Sequence, residues 1–203
     1  MQTNANKVAR EIKCIYKDAD VRSKNIKSVC SEGCSHCCHQ HVRIHWAEGA
    51  LIDKFIEETM SAEIKENVLS NFNSWFEFFN DNTPNGGVID ESEILNFEKI
   101  AAQSKLACPF LIEDRCSIYA VRPLVCRTHS VNDTPDLCKE NSHRNGNPKG
   151  YEIQNITFKQ ISRVSDSASI RSLMYATCEK IGYKKQLKPV LQMVTPTLKP
   201  NLA

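Results

Sequence analysis

The chemistry available to this chain is concentrated in its cysteines. Four of them fall within nine residues and form the first cysteine group: Cys30, Cys34, Cys37 and Cys38. Four more lie far downstream and form the second cysteine group: Cys108, Cys116, Cys126 and Cys138. Thiols spaced this closely serve either in disulfide bonds or as metal ligands, and the rest of the sequence has to distinguish these two uses.

The composition favours metal ligands. The chain has 203 residues, ten cysteines and a net charge of +2, and it contains no run of about 20 apolar residues that could span a membrane. Residues 1–10 are polar and lack the apolar core of a secretory signal peptide. We therefore predict a cytoplasmic protein that binds neither nucleic acid nor membrane, in a compartment where thiols stay reduced. Export by another route would favour disulfide bonds instead.

The spacing of the first cysteine group suits a metal site. Its C-x3-C-x2-C part is compatible with three thiolates on one ion or cluster, and Gly33 allows the tight backbone turn that this requires. Adjacent Cys37 and Cys38 are unusual, because neighbouring side chains diverge in most backbone conformations. The pair could serve two sites, or one of its thiols could lie outside the shell of metal ligands. Radical S-adenosylmethionine enzymes share this spacing, but their barrel needs about 250 residues and an alternation of strands and helices, which this sequence lacks.

Histidines crowd around the first cysteine group, at positions His36, His39, His41 and His45. Imidazole is a common metal ligand. Because eight thiols are already available, we expect the histidines to lie beside the site or at the surface. His36, inside the loop, is the strongest candidate for an exception.

The second cysteine group is predicted to lie on a small hairpin. Glu113 and Asp114 form a turn between two short apolar runs, which would let Cys108 and Cys116 face each other. The apolar residues can exclude water from the site, and Pro109 stiffens the backbone beside the thiols. The alternative is a hydrophobic hairpin whose cysteines are incidental.

Two arginines near these cysteines, Arg122 and Arg127, are candidates for binding the cofactor. Four thiolates on zinc or on an oxidised four-iron cluster leave about two negative charges at the site. Guanidinium groups would offset that charge in surroundings of low dielectric constant. The alternative is a surface ion pair with Glu113 or Asp114.

The periodicity of apolar residues predicts a mainly α-helical fold, in which amphipathic helices support a small, irregular, cysteine-rich metal-binding core with a short hairpin. We expect one domain, residues 1–203, in three parts. Residues 1–29 carry an N-terminal helix, and residues 30–140 form the cysteine-cluster region with a helical insertion at 47–105 that lies between the cysteine groups. Residues 141–203 supply a C-terminal helix at 157–181 and an extended tail. Cys14 and Cys178 fall in the terminal helices, where we predict buried, inert thiols.

The pattern of both groups resembles the YkgJ-type cysteine-cluster family. The resemblance is carried by Cys30-x3-Cys34-x2-Cys37-Cys38, Cys108-Pro109-Phe110-Leu111, Cys116-x-Ile118-Tyr119 and Arg122-Pro123-x2-Cys126-Arg127, and Cys138 matches a further cysteine of some members. It implies a zinc- or iron-chelating domain similar to proteins described as Fe-S oxidoreductases, and the same cluster occurs in flagellin lysine N-methylase.

We accordingly predict that the eight cysteines of the two groups bind metal, in the form of an iron-sulfur cluster of the 4Fe-4S type. The expected role is redox chemistry or electron transfer with an unidentified redox or protein partner. A zinc-chelating structural or binding module, and a methyl-transfer enzyme similar to the methylase, are the alternatives. The sequence leaves open whether the protein is an enzyme.

Overall fold

The structure, a computed structural model, describes residues 2–31, 33–82, 91–141 and 144–182. The fold is mainly helical, as predicted. The helices are α1 (Gln2–Ser23), α2 (Trp46–Glu58), α3 (Ala62–Asn82), α4 (Glu91–Ser104), α5 (Leu124–Thr128), α6 (Asp136–Glu140), α7 (Pro148–Ser165) and α8 (Leu173–Ile181). The short strands are β1 (Arg43–His45), β2 (Leu111–Ile112), β3 (Arg115–Cys116) and β4 (Ile170–Ser172).

The strands form two antiparallel pairs. β2 and β3 are the two sides of the predicted hairpin, with Leu111 opposite Cys116. β1 pairs with β4, so that Ile44 lies opposite Arg171. This second pair joins segments far apart in the chain, and it fixes the start of α2 relative to the start of α8.

The N-terminal helix packs against α7 and α2 through an apolar face that includes the buried Val8, Ile12 and Ala19. It ends at Ser23, earlier than the predicted residue 29, and the chain then runs to the first cysteine group without regular structure.

The prediction that Cys14 is buried was wrong, because its side chain is exposed. Successive residues of an α-helix lie about 100° apart around the axis, which puts position 14 on the face opposite Ile12. Ile12 is completely buried.

Helix α3 supports the segment that leads into the second cysteine group. Its aromatic stripe is core, since Phe72, Trp75 and Phe76 are all buried. The indole Nε1 of Trp75 donates to the carbonyl of Ala107 at 2.6 Å, and the Asn71 amide donates to the carbonyl of Pro109 at 3.1 Å. The predicted helical insertion therefore contacts the backbone on both sides of Cys108.

The C-terminal helix predicted over 157–181 is interrupted. Helix α7 already begins at Pro148 and ends at Ser165, where Asp166 adopts a left-handed conformation with φ of 51°. The chain then forms β4 before α8 begins, because residues 170–172 complete the pair with β1. The predicted tail and the side chain of Cys178 lie outside the described residues.

None of the helices in the described ranges combines the length and the apolar character needed to cross a membrane.

Candidate metal centre

A tight loop presents the first cysteine group. Gly33 has a φ of +85°, a conformation that favours glycine because a side chain would be strained there. The loop closes through the amide of Cys34, which donates to the carbonyl of Ser31 at 3.1 Å. A short 3₁₀ turn over His36–Cys38 follows, in which the amide of Cys38 donates to the carbonyl of Ser35 at 2.8 Å. These backbone hydrogen bonds hold Cys34, Cys37 and Cys38 on one compact stretch of chain.

Direct hydrogen bonds join the first cysteine group to the hairpin. The amide of Cys108 donates to the carbonyl of Cys38 at 2.6 Å. The hydroxyl of Ser35 donates to a carboxylate oxygen of Asp114 at 2.7 Å. The two groups, separated by some seventy residues of sequence, are therefore neighbours in the fold.

The hairpin turn forms where the sequence predicts it. Glu113 and Asp114 both have positive φ values, 48° and 59°, as a two-residue turn of the primed type requires. The turn brings Cys116 beside Cys108. Burial, together with the smaller effect of the neighbouring Cys116 charge, raises the pKa of the Cys108 thiol to about 12.

Cys126 lies on α5, and a buried carboxylate holds the start of that helix. Glu48 is 2% exposed, and it accepts hydrogen bonds from the amide of Leu124 at 2.7 Å, from the amide of His45 at 2.8 Å and from the hydroxyl of Tyr16. Burial raises the pKa of Glu48 even though these three donors act in the opposite direction. The cysteine spacing does not indicate this residue. A glutamate within an amphipathic helix is ordinarily expected on the exposed face, so helical periodicity does not indicate it either.

Five thiols act on one another and form what we call the inner thiols: Cys37, Cys38, Cys108, Cys116 and Cys126. Burial is the main cause that raises the pKa values of Cys108, Cys116 and Cys126. Cys37 differs, because a hydrogen bond from the Cys38 thiol lowers its pKa to about 7. The same hydrogen bond raises the pKa of Cys38. Cys37 is therefore the inner thiol whose pKa is lowered rather than raised by its surroundings.

The remaining three cysteines, which we call the outer thiols, are Cys30, Cys34 and Cys138. Burial raises the pKa of Cys34, and the neighbouring charges of Cys30, Cys37 and Cys138 add to this effect. Cys30 is exposed, whereas Cys138 is buried and lies 3.7 Å from a guanidinium nitrogen of Arg144. Cys37 thus lies between the inner and the outer thiols.

The two predicted arginines have different surroundings. The Arg122 guanidinium stacks over the Tyr119 ring at 4.0 Å from its centroid, and its positive charge favours the thiolates of Cys37 and Cys116. Its Nε atom is buried and has no hydrogen-bond partner among the described residues.

Arg127, in contrast, is engaged by α1. Its guanidinium donates to both carboxylate oxygens of Asp20 at 2.8 Å and lies 4.5 Å from the centroid of the Tyr16 ring. It therefore ties the helix of Cys126 to α1, and Arg122 is the arginine whose charge acts on the thiols.

The donor set suits a thiophilic metal. All nine cysteines whose side chains the structure describes are free thiols. In the same ranges, no group of three or more His, Cys, Asp or Glu side chains is placed as a metal ion would require, so the grouping of the thiols rests on proximity rather than on coordination geometry. Soft thiolates select zinc or iron over hard cations, and the unpartnered Nε of Arg122 can offset their charge.

Comparison with known protein families identifies the family of this chain. Residues 29–157 match the family model CxxCxxCC, described as a putative zinc- or iron-chelating domain. The chain belongs to the CxxCxxCC family. The matched range contains all eight cysteines of the two groups, and this membership supports metal binding by the protein. No curated protein and no solved structure matches the chain.

Two of the histidines in this CxxCxxCC domain have structural roles. His45 caps α2: its Nδ1 accepts from the amide of Ala47 at 3.1 Å, and its Nε2 lies 2.8 Å from the carbonyl of Ser167. Burial lowers the pKa of His45, which agrees with a neutral ring. His41 is also buried, with Nε2 3.1 Å from the hydroxyl of Ser172. The expectation that the histidines lie beside the metal site or at the surface stays a prediction.

Two cavities adjoin the thiols of the CxxCxxCC domain. The inner cavity, of about 470 Å³, has Cys37, Cys126 and Glu48 in its wall. The outer cavity, of about 500 Å³, is bordered by Cys138 together with His36 and His39. The inner cavity therefore lies beside two of the inner thiols, and the outer cavity lies beside one of the outer thiols.

Proposed function

We propose that the inner thiols hold an iron-sulfur cluster of the 4Fe-4S type and that the protein acts in redox chemistry or electron transfer. The observation that carries this proposal is the concentration of five free thiols among completely or almost completely buried apolar residues, Phe110, Ile118 and Leu124. Low solvent exposure protects a thiolate-bound cluster and tunes its reduction potential. When bound, such a cluster would supply one-electron transfer.

Residues of this chain would contribute binding and electrostatics. Four of the five inner thiols suffice for a four-iron cluster. Arg122 offsets the negative charge of the thiolates, and its buried Nε is a hydrogen-bond donor still available to a sulfur atom. Arg127 and Glu48 act indirectly, because they fix the helix that carries Cys126.

The inner cavity supports a redox reaction with a small molecule. Its volume of about 470 Å³ falls in the range of ordinary ligand sites, and Cys37 and Cys126 form part of its wall. Polar side chains such as His41 and Glu98 share that wall with apolar ones. A molecule in this cavity would lie next to the inner thiols.

Zinc is the second candidate. Four thiolates are also a usual ligand set for structural zinc. The hydrogen bond from the amide of Cys108 to the carbonyl of Cys38 joins two distant segments, which such an ion would hold together. In that case the protein would be a zinc-stabilised binding module.

Analysis of protein purified without oxygen tests the proposal. We expect iron and acid-labile sulfide in equal amounts, a brown colour and reversible bleaching by dithionite. The double variant Cys108→Ser/Cys116→Ser, which keeps only three inner thiols, should lose iron, whereas Cys14→Ser, which changes an exposed thiol far from the inner set in sequence, should retain it. A colourless protein with stoichiometric zinc would refute the iron-sulfur form, and protein without metal after anaerobic purification would refute both forms.

A further inference from the structure

The inner cavity, of about 470 Å³, has a wall that is largely apolar. Six apolar side chains contribute to it: Val42, Ile44, Leu124, Val125, Phe158 and Ile170. Pockets of this size and lining are typical of sites for small organic molecules. A ligand of the inner cavity would therefore bury mainly apolar surface while it adjoins Cys37 and Cys126.

The charged side chains of this wall already have partners. Arg43 places its Nε 2.7 Å from the carboxylate of Glu98, and the Arg144 guanidinium pairs with Asp133 outside the wall. Glu48 accepts its three hydrogen bonds from groups of the chain itself. Neither guanidinium is thus left without an acidic partner, and neither carboxylate is left for a cation. Because ionised thiols nearby would add negative charge, the wall favours an uncharged ligand over an anion.

Two side chains of α7 in the wall keep a hydrogen-bond donor for a ligand. The Tyr151 hydroxyl accepts from the amide of Gly146 at 2.9 Å, which leaves its own proton to donate. The Gln154 amide oxygen accepts from the Thr128 hydroxyl at 3.3 Å, which leaves the amide nitrogen as a donor. Residues three apart on a helix share a face, so these donors are neighbours. They suit a carbonyl oxygen.

Redox-active molecules differ in how well they match this wall. Flavin and nicotinamide nucleotides carry phosphate groups, which require cationic side chains that are free to bind them. Quinones are uncharged, and they combine an apolar ring with carbonyl oxygens. A quinone therefore matches both the apolar lining and the donors of α7.

We propose that the inner cavity binds an uncharged quinone, with a quinone carbonyl accepting a hydrogen bond from Tyr151. The choice of a redox-active ligand rests on the redox function proposed above. The apolar wall and the paired charges do not depend on that function or on the identity of the metal.

Equilibrium dialysis of the full chain, purified anaerobically with its own metal, tests this inference with duroquinone as the probe. Duroquinone has a methyl group at every ring position, which blocks addition of thiols to the ring. We expect about one equivalent to bind, and flavin mononucleotide at the same concentration to remain unbound. Tyr151→Phe keeps the ring and removes the donor, so it should weaken duroquinone binding about 3- to 10-fold.

Tyr119→Phe is the matched control, because Tyr119 is an exposed tyrosine outside the cavity wall, and it should bind duroquinone like the full chain. Circular dichroism verifies that both variants fold. No binding of duroquinone, flavin mononucleotide binding at least as tight, or equal affinity in a folded Tyr151→Phe variant would each overturn the proposal. Zinc in place of iron would refute the iron-sulfur form, whereas an iron-sulfur protein that does not bind duroquinone would refute this inference alone.

Discussion

Two backbone amides and one phenol donate to the buried carboxylate of Glu48, and replacing it by alanine should destabilise the fold. The variant leaves the amides of His45 and Leu124 and the hydroxyl of Tyr16 without their acceptor. An unsatisfied buried polar group costs about 1–3 kcal/mol, so three of them set an upper range of about 3–9 kcal/mol.

Two effects keep the expected loss near the lower end of that range. Glu48 forms part of the wall of the inner cavity, so water can reach some of the abandoned donors. Burial raises the pKa of Glu48, which means that the carboxylate itself is costly to keep in the folded protein. We therefore expect Glu48→Ala to lower the free energy of unfolding by about 3–4 kcal/mol.

Urea denaturation of the metal-free protein measures this loss, and Glu58→Ala is the matched control. Glu58 lies on the same helix, and its only described ion pair is an exposed one with Lys54 at 3.6 Å, so its removal should change stability little. Metal affinity should also fall in Glu48→Ala, because the start of the Cys126 helix loses its anchor. A Glu48→Ala variant as stable as Glu58→Ala would refute this account of the buried carboxylate.

Three further variants test the packing around the site. Gly150→Ala should destabilise the protein by about 1–3 kcal/mol in urea denaturation, because the added Cβ would clash with the carbonyl oxygen of Thr128. An unchanged midpoint would contradict this close approach. Trp75→Phe should lower the free energy of unfolding by about 1–2 kcal/mol in the same assay, because the carbonyl of Ala107, next to Cys108, loses its donor. Unchanged stability would show that this hydrogen bond contributes nothing. His45 has a pKa below its ordinary value, so the unfolded chain takes up its proton first: stability should be complete above about pH 6.5 and fall as the pH decreases below it. Thermal melts against pH should show a shallower decline for His45→Ser, which keeps a capping oxygen, and equal profiles would assign the decline to other groups.

The local features of the site could be predicted from sequence. The Glu113–Asp114 turn depends on two adjacent residues that tolerate positive φ, and the aromatic stripe of α3 follows helical periodicity. Grouping of the cysteines followed from their density, and the structure brings Cys38 next to Cys108 as that grouping requires.

The features that sequence reasoning missed depend on contacts between distant segments. The β1–β4 pair interrupts what periodicity alone predicts as one C-terminal helix, because only the folded chain shows residues 170–172 beside residues 43–45. The Glu48 carboxylate binds the start of the Cys126 helix, and the Arg144 guanidinium lies beside Cys138. Both groups come from segments whose sequence gives no sign of this role. The proposed division of 203 residues into one domain with three parts stays a prediction.

X-ray absorption at the metal edge, on protein purified anaerobically without added metal, tests most directly whether cysteine thiolates hold the metal. We expect a first shell of sulfur at about 2.3 Å, with a second shell of iron if the cluster is of the iron-sulfur type. Cys14→Ser should give the same spectrum. A first shell made mainly of nitrogen and oxygen would contradict the assignment of the eight cysteines as the metal-binding residues.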